Sequence, residues 1–351
     1  MGRVWTGHHR RQAVVRMDEA RRNRQWRLAR RPDGAFSPDV VELTEEAVPT
    51  PADGEALVAV THLSMDPTIR GWMEHDTYLP KIPEGGVVRS LGVGTVVASR
   101  SDRYTEGDMV SGMTGWQEWM LADDGSHSMQ VLPAGTDPLD AVGLFGPTGL
   151  AAYFGLLEVG RPVAGETVLV SGAAGATGSV AGQIAKHRGC RVIGTAGSDE
   201  KCRTVVDEYR FDGCINYRTE RIGGRLRELC PDGVDVFFDN VGGDVLEAAL
   251  GNLAMRARIV ICGAISQYDG APPRGPRNYT QLIMRRARME GFLVFDHADR
   301  YPEAVADLAR WAREGVIVHD VDVVDGFDNV PTAFARLFSG NKRGKNAVRL
   351  P

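Results

Sequence analysis

The stretch VLVSGAAGATGSVAGQIAKHRGCRVIGTAGSDEK, residues 168–201, decides the fold of this chain. It runs from a short apolar segment through a glycine-rich turn into a helical pattern, and then into a second apolar segment. The glycines Gly172, Gly175 and Gly178 are spaced GxxGxxG, a variant of the GxGxxG turn that binds dinucleotides. Small residues let the backbone approach a pyrophosphate, and the following helix offers its N–H groups to the phosphates. The stretch predicts a dinucleotide site; the alternative is a tight strand–helix turn without a ligand.

The end of the second apolar segment bears on which dinucleotide is bound. NAD sites usually place an acid at this strand tip, where it binds the ribose 2′-hydroxyl. Here the tip is TAGS, residues 195–198, and Asp199, Glu200 and Lys201 follow it. A small polar tip beside a cation suits a 2′-phosphate, so the spacing favours NADP. In the alternative, Asp199 caps the next helix and Lys201 is a solvated surface residue.

Downstream of about residue 145, helical patterns alternate with short apolar runs, which predicts a doubly wound parallel sheet. The predicted strands cover residues 167–171, 191–195, 213–216, 234–239 and 258–262. The predicted helices cover residues 150–158, 179–188, 200–209, 220–229, 244–253 and 302–314. The Pro- and Gly-rich residues 268–279 form a candidate lid.

The preceding part of the chain has a different character. Residues 55–65, 86–100 and 106–122 are short apolar runs bounded by glycine and aspartate, which predicts strands of a small β-rich barrel. Residues 317–351 return to a strand–helix–strand pattern. The length of 351 residues suggests two domains.

Composition narrows the class of protein. A hydrophobic fraction of 43% and a charged fraction of 25% are ordinary for a globular protein. The net charge of −5 provides no basic field for nucleic acid or for an anionic membrane, and no apolar run is long enough to span a bilayer. The five cysteines include no CxxC pair, and their odd number argues against a disulfide framework. We therefore expect reduced thiols and a cytoplasmic location.

The N-terminus is basic and has no apolar core, so it does not read as a secretory signal. We expect residues 1–22 to be a disordered extension. The alternative is that the natural chain starts at Met17.

Several motifs together resemble one family. They are NRQWRLARRPDG (23–34), LSMDPTIRGWM (63–73), GPTGLAAYFGLLEVG (146–160), the stretch 168–201, DVFFDNVGG (235–243), ICGAISQYDG (261–270) and RMEGFLV (288–294). FDNVGG followed by CGAISQY is the most specific combination. The chain resembles the zinc-independent medium-chain dehydrogenases/reductases, and among them the leukotriene B4 12-hydroxydehydrogenase, prostaglandin reductase and alkenal double-bond reductase group.

The resemblance implies an α/β fold in which a Rossmann doubly wound parallel sheet is inserted in a GroES-like β-rich catalytic domain. The catalytic domain would comprise residues 23–144 and 317–351, and the NADP-binding domain residues 145–316. The cofactor implied is NADP (NADPH). The residues implied to bind it are Gly175, Ala176, Thr177, Gly178, Ser198, Lys201, Tyr217, Asn240, Cys262, Gly263, Ala264, Ile265, Ser266, Phe292, Leu293, Val294 and Asn341.

The resemblance also gives these residues roles. Residues 175–178 would form the pyrophosphate turn, and Lys201 would contact the 2′-phosphate. Tyr217 would hold the adenosine end and Asn240 would face the cofactor. Residues 262–268 would line the nicotinamide half, and residues 292–294 would flank the nicotinamide ring.

Two positions depart from the family pattern. Thr68 stands where the family often has a tyrosine, which removes a phenol from the implied pocket and leaves the substrate class open. Lys342 occupies the usual position of an asparagine, with Asn341 one residue earlier, which leaves a cofactor contact at Asn341 open.

The sequence lacks the ligand pattern of a catalytic zinc. Such a zinc needs three protein ligands, yet no cysteine precedes Cys190 and no GHE stretch occurs. His62 is the nearest candidate, and a lone strand histidine is more often structural. We expect no metal. Without a metal ion to act as a Lewis acid, we expect a reaction that needs less activation of the substrate oxygen than alcohol oxidation does.

Conjugate reduction meets this demand. Hydride would reach the β-carbon of an α,β-unsaturated ketone or aldehyde, and the resulting enolate would be protonated at the α-carbon. Tyr268 is the candidate donor to the enolate oxygen, because a phenol with a pKa near 10 stays protonated at neutral pH. Alternatively, Tyr268 only shapes the pocket.

We therefore expect the protein to be an NADP-dependent oxidoreductase of the class that acts on CH–CH donors. Its expected substrates are small hydrophobic enones or enals. The alternatives are an NADPH:quinone oxidoreductase and a catalytically silent NADPH-binding protein. The resemblance implies a homodimer that extends the Rossmann sheet through an edge strand, supplied by residues 258–264 or 289–295.

Overall fold

The computed structural model of the protein describes residues 22–125, 129–268, 274–338 and 344–351. The strands are β1 (Arg22–Leu28), β2 (Val41–Ala47), β3 (Glu55–Met65), β4 (Leu91–Ser99), β5 (Met109–Met113), β6 (Trp119–Asp123), β7 (Met129–Val131), β8 (Thr167–Val170), β9 (Arg191–Ala196), β10 (Gly213–Asn216), β11 (Val234–Asp239), β12 (Leu253–Ile261), β13 (Arg288–Gly291), β14 (Val321–Asp325) and β15 (Lys345–Arg349). The helices are α1 (Thr68–Glu74), α2 (Pro138–Val142), α3 (Pro147–Phe154), α4 (Ala176–His187), α5 (Asp199–Asp207), α6 (Ile222–Leu229), α7 (Gly243–Leu250), α8 (Gln281–Arg285), α9 (Tyr301–Arg313) and α10 (Val330–Ala335).

A seven-stranded sheet brings the two ends of the chain together. Its order is β14-β15-β3-β4-β5-β7, and β6 also pairs with β3. The C-terminal β15 runs antiparallel to β3, with Asn346 opposite Met65. The sheet buries an aromatic core that includes Trp72, Trp116 and Phe334. The antiparallel β1–β2 pair lies beside it, with Trp26 of β1 packed against this core.

The second sheet is parallel and has six strands in the order β10-β9-β8-β11-β12-β13. Helices cover both faces. One face packs on α3, α4, α5 and α9, through residues such as Ile184 and Leu308. The other packs on α6 and α7, through Leu226 and Leu246. Strand order reverses between β8 and β11, and crevices at such reversal points bind ligands in doubly wound folds. The predicted fold class, a doubly wound parallel sheet with a β-rich partner, is confirmed.

Three details differ from the sequence expectation. Residues 258–264 do not form a sheet edge, because β12 is hydrogen-bonded on both sides and β13 is the edge. Strand β12 begins at Leu253 rather than at residue 258, because α7 ends at Leu250. The helix predicted over residues 150–158 is α3 followed by a π-helical segment, Gly155–Gly160.

The glycine at the start of that π-helical segment explains part of the last difference. A Cβ on Gly155 would lie 2.4 Å from the Phe292 ring, so only glycine allows this close approach.

Other expectations fall outside the described ranges. These are residues 1–21 of the expected N-terminal extension and residues 269–273 of the candidate lid.

Candidate functional site

A cavity of about 560 Å³ lies where the carboxyl ends of the parallel strands face the seven-stranded sheet. The parallel sheet contributes the turn after β8 and the ends of β9, β11 and β12. The other sheet contributes the end of β3, helix α1 and the start of β15. This volume is within the usual range for small-molecule sites.

The glycine turn predicted from the sequence forms one wall of the cavity. Gly172 has a φ of +61°, a conformation that favours glycine. A Cβ on Gly178 would lie 2.4 Å from the Gly172 carbonyl oxygen, so a side chain there would force the turn open. Helix α4 starts at Ala176, and the first N–H groups of a helix have no partner within it. The wall therefore presents N–H donors and the positive end of a helix, a cradle that suits a pyrophosphate.

Two cations meet at the end of β9. Lys201, Tyr217 and Arg218 all line the cavity. Burial lowers the pKa of Lys201, and the positive charge of Arg218 lowers it further. A Cβ on Gly197 would lie 2.7 Å from the Tyr217 hydroxyl, so glycine lets this side chain close over the strand tip. An anionic group bound here would relieve the repulsion between the two cations.

The first acid after this strand tip, Asp199, is engaged by another side chain. Ser198, rather than Asp199, caps α5, and its hydroxyl accepts a hydrogen bond from the Lys201 N–H at 3.3 Å. The Asp199 carboxylate accepts a hydrogen bond from the side-chain amide of Asn216 at 2.6 Å. The capping alternative for Asp199 is therefore wrong. The local charge favours a phosphate over a 2′-hydroxyl.

A buried polar network fixes the floor of the cavity. Asp239, at the end of β11, is fully buried, and burial raises the pKa of its carboxyl. The carboxylate accepts hydrogen bonds from the Ser171 hydroxyl at 2.7 Å and from the Gly242 N–H at 3.0 Å. The side-chain amide of Asn240 donates to the Ser171 carbonyl at 2.8 Å. These bonds tie the ends of β8 and β11 together, and they hold Asn240 at the cavity wall.

The segment after β12 carries the candidate proton donor. Tyr268 lines the cavity, and its hydroxyl oxygen accepts a hydrogen bond from the Ala264 N–H at 3.1 Å. Burial raises the pKa of Tyr268, so the phenol keeps its proton at neutral pH. Because the oxygen accepts this bond, the O–H proton can be donated to a ligand. Burial also raises the pKa of the neighbouring Cys262 to about 12, so this thiol is neutral.

The far end of the cavity is apolar and aromatic. Trp72 is buried and meets Tyr78 edge-on at 6.1 Å between ring centroids, and Phe295 lies 6.0 Å from Tyr78. The Tyr78 hydroxyl is 3.4 Å from the Thr68 hydroxyl. A phenol, that of Tyr78, therefore lies at the cavity wall beside Thr68.

A buried ion pair also borders the cavity. Lys345 of β15 donates to the Asp66 carboxylate at 2.7 Å and to the Met65 carbonyl at 2.9 Å. Ser64 donates a further hydrogen bond to Asp66. The pair joins β15 to the end of β3, so it holds the two chain ends together where they meet the cavity.

Two buried polar side chains have structural roles, and one of them is His62, the zinc candidate. His62 is buried on β3 next to the Thr61 hydroxyl at 3.1 Å, and burial lowers its pKa. Arg70 is fully buried and binds Glu74 at 2.9 Å and the Gly34 carbonyl at 2.6 Å. Among the residues that the structure describes, no three His, Cys, Asp or Glu side chains converge as metal ligands.

Comparison with known proteins places the chain in a family. A profile described as "N-terminal domain of oxidoreductase" matches residues 24–131, and one described as "Zinc-binding dehydrogenase" matches residues 176–310. The NADPH-dependent curcumin reductase of Escherichia coli (strain K12) is 36% identical over 95% of this chain and 98% of its own length. Prostaglandin reductase 1 of Rattus norvegicus is 38% identical over 92% of this chain and 98% of its own length.

The chain belongs to the zinc-independent medium-chain dehydrogenases/reductases. CurA of Vibrio vulnificus, whose structure was solved in complex with NADPH, is 38% identical to this family member. The two structures superpose with a TM-score of 0.88 over 93% of this chain and 99% of that one. The resemblance drawn from the sequence motifs is therefore confirmed.

Most of the predicted site residues of this reductase lie together. Those at the cavity are Gly175, Ala176, Thr177, Gly178, Lys201, Tyr217, Asn240, Cys262, Gly263, Ile265, Ser266, Tyr268 and Val294. Ser198 and Ala264 do not line the cavity, but each is hydrogen-bonded to a residue that does. The Ser198 hydroxyl accepts from the Lys201 N–H, and the Ala264 N–H donates to the Tyr268 hydroxyl. Phe292 packs into the core of the parallel sheet, and Leu293 precedes the helical turn that starts at Val294. Asn341 lies outside the described residues.

The cavity residues that sequence reasoning missed include Arg218, Tyr78, Asp66 and Lys345. Arg218 could have been found, because it follows β10 and parallel neighbouring strands end at the same sheet edge. Tyr78 has no local signal, because it lies in an irregular segment after α1. Asp66 and Lys345 are far apart in sequence, and only the pairing of β15 with β3 brings them together.

The structure contains no helix, in the part of the chain that it describes, that is long and apolar enough to cross a membrane.

Proposed function

We propose that this protein is an NADPH-dependent reductase of the C=C bond of α,β-unsaturated ketones and aldehydes. One observation carries the proposal: a single cavity has a glycine turn and two cations at one end, and an aromatic pocket with two phenols at the other. The first end suits the phosphates of a dinucleotide, and the second suits a small apolar molecule with one carbonyl.

The residues present fit NADPH. The Gly172–Gly178 turn would hold the pyrophosphate, because it presents the first N–H groups of α4 to the cavity, and Gly178 lets the turn stay closed. Lys201 and Arg218 would hold the 2′-phosphate, and Tyr217 would cover the adenosine end. Asn240, Cys262, Gly263, Ile265, Ser266 and Val294 would surround the nicotinamide half. When bound, NADPH supplies a hydride to the β-carbon of the substrate, and the protein chiefly positions the two molecules.

Tyr268 would act on the substrate oxygen. Negative charge moves to the carbonyl oxygen when hydride reaches the β-carbon, so a fixed donor at that oxygen stabilises the transition state. Tyr268 keeps its proton because burial raises the pKa of its phenol. The Ala264 N–H orients the phenol oxygen. The aromatic walls formed by Trp72, Tyr78 and Phe295 would exclude water from the substrate.

The two sheets would belong to two domains with different functions. We place the catalytic domain at residues 23–144 and 317–351, and the NADP-binding domain at residues 145–316. The pairing of β15 with β3 supports the first assignment, and the continuous parallel sheet supports the second.

We also place the protein in the cytoplasm, because all five cysteines are free thiols.

A homodimer through β13 completes the proposal. This strand is at the edge of the parallel sheet and is exposed along its length, and exposed edges pair readily with another strand. Apolar side chains are exposed nearby: Ile283 at 73%, Met284 at 64% and Tyr279 at 61%. Analytical ultracentrifugation of the protein and of an Ile283→Asp variant tests this. We expect a dimer for the first and a monomer for the second, and a monomeric natural protein would refute the assignment.

The activity is tested with purified protein, NADPH and a medium-chain trans-2-enone, with the saturated ketone of equal length as the matched control. We expect NADPH oxidation with the enone and none with the saturated ketone. Turnover of quinones alone would instead favour the quinone oxidoreductase. Tight NADPH binding without turnover of enones or quinones would favour a silent binding protein.

A further inference from the structure

Two cysteines are placed side by side next to the cavity. Cys202 lies on α5, and Cys214 lies on β10, where it pairs in register with Gly194 of β9. A Cβ on Gly194 would be 3.0 Å from Val205, which lies one helical turn after Cys202. Cys202 and Val205 therefore share the face of α5 that packs on the sheet, and Cys214 and Gly194 share the face of the sheet that receives it.

The two thiols face each other closely enough to interact. Their side-chain interaction lowers the pKa of Cys202 and raises the pKa of Cys214. Both residues are half-buried free thiols. Cys190 and Cys230 differ from Cys202, because burial raises the thiol pKa to about 11 in each. Because the thiolate is the reactive form, Cys202 is the preferred nucleophile among the cysteines of this chain.

Chain neighbours of both cysteines line the end of the cavity that would hold the 2′-phosphate. Cys202 directly follows Lys201 on α5, and Cys214 precedes Tyr217 and Arg218 at the end of β10. A bond between the sulfurs would pull the first turn of α5 against β10. Lys201 is on α5 and Arg218 follows β10 by two residues, so the spacing between the two cations would change.

We propose that Cys202 and Cys214 form an oxidisable pair that hydrogen peroxide converts to a disulfide, and that the disulfide weakens NADPH binding. This inference rests on the proposed function only in placing NADPH at Lys201. The Cys202 thiolate attacks the peroxide, so that an S–O bond forms, the O–O bond breaks and the first water leaves after protonation. The Cys214 thiol then attacks the Cys202 sulfur, so that the S–S bond forms, the S–O bond breaks and a second water leaves. The sulfurs lose two electrons and the peroxide gains them.

The test oxidises the protein with hydrogen peroxide, blocks remaining thiols and maps disulfides by mass spectrometry without reduction. NADPH affinity is measured by fluorescence titration before and after, and again after dithiothreitol. We expect a peptide linked through Cys202 and Cys214, and an NADPH Kd raised about tenfold or more, as for loss of one charge-assisted hydrogen bond. Dithiothreitol restores the affinity, and prior saturation with NADP slows formation of the link.

Variants separate this effect from general oxidation. Cys202→Ser and Cys214→Ser should keep their NADPH affinity after peroxide, whereas the matched control Cys230→Ser should lose affinity as the natural protein does. Absence of the linked peptide would overturn the proposal. So would a linked pair without a change in Kd, or equal loss of affinity in the two serine variants. The titration uses no enone, so it does not depend on the substrate, and a protein that fails to bind NADPH before oxidation would instead refute the proposed function.

Discussion

Replacing Lys201 by alanine should remove the preference for NADPH over NADH. Lys201 is half-buried and lines the cavity beside Arg218. A hydrogen bond to a charged group contributes about 1.5–3 kcal/mol, and a half-buried cation that keeps one cationic neighbour falls near the middle of this range. A loss of about 2 kcal/mol corresponds to a roughly 30-fold rise in the KM for NADPH. The KM for NADH should not change, because NADH has no 2′-phosphate.

The assay is steady-state oxidation of NADPH and of NADH with one saturating enone. Arg203→Ala is the matched control, because it removes the same charge from the same helix at an exposed position two residues away. Lys201→Ala should lower the ratio of kcat/KM for NADPH over NADH about 30-fold, whereas Arg203→Ala should leave it unchanged. A Lys201→Ala variant that keeps the natural ratio would refute the assignment of this end of the cavity to the 2′-phosphate.

Three further predictions concern the turn and the phenol. Gly178→Ala should destabilise the fold by about 1–3 kcal/mol and abolish the thermal stabilisation by NADPH, because the new Cβ would lie 2.4 Å from the Gly172 carbonyl oxygen; thermal unfolding with and without NADPH measures both. Tyr268→Phe should lower kcat for an enone about 100- to 1000-fold with little change in NADPH affinity, and an unchanged kcat would remove Tyr268 from the chemistry. The rate should be flat between about pH 7 and 9 and fall only at higher pH, because the donor is the protonated phenol, whose pKa burial raises above its ordinary value near 10; a fall beginning near neutral pH would contradict this.

The sequence predicts the parallel sheet well because its signals are local. The β8–turn–α4–β9 unit needs a glycine at Gly172 for its positive φ and at Gly178 for its close contact, so the motif is visible in the chain itself. The alternation of apolar runs and helical patterns also follows from burial of both faces of the sheet. Strand β10, predicted over residues 213–216, matches the structure, Gly213–Asn216.

The sequence predicts the cavity less completely because much of it is assembled from distant segments. Lys345 reaches Asp66 only because β15 adds to β3, and no local pattern reveals that pairing. Tyr78 reaches the cavity beside Thr68 from an irregular segment, where its ring packs against Trp72. The sequence does not show which residue caps α5, because Ser198 and Asp199 are equally good capping residues. The structure distinguishes them, because the Ser198 hydroxyl accepts the Lys201 N–H and the Asp199 carboxylate accepts from Asn216.

In the proposed reaction, this reductase delivers hydride to a carbon–carbon double bond. The most direct measurement is the reaction of a trans-2-enone with NADPH deuterated at C4 of the nicotinamide, followed by NMR of the product. We predict a saturated ketone with deuterium on its β-carbon and, in deuterated water with ordinary NADPH, on its α-carbon. An allylic alcohol with deuterium on the former carbonyl carbon would contradict the account.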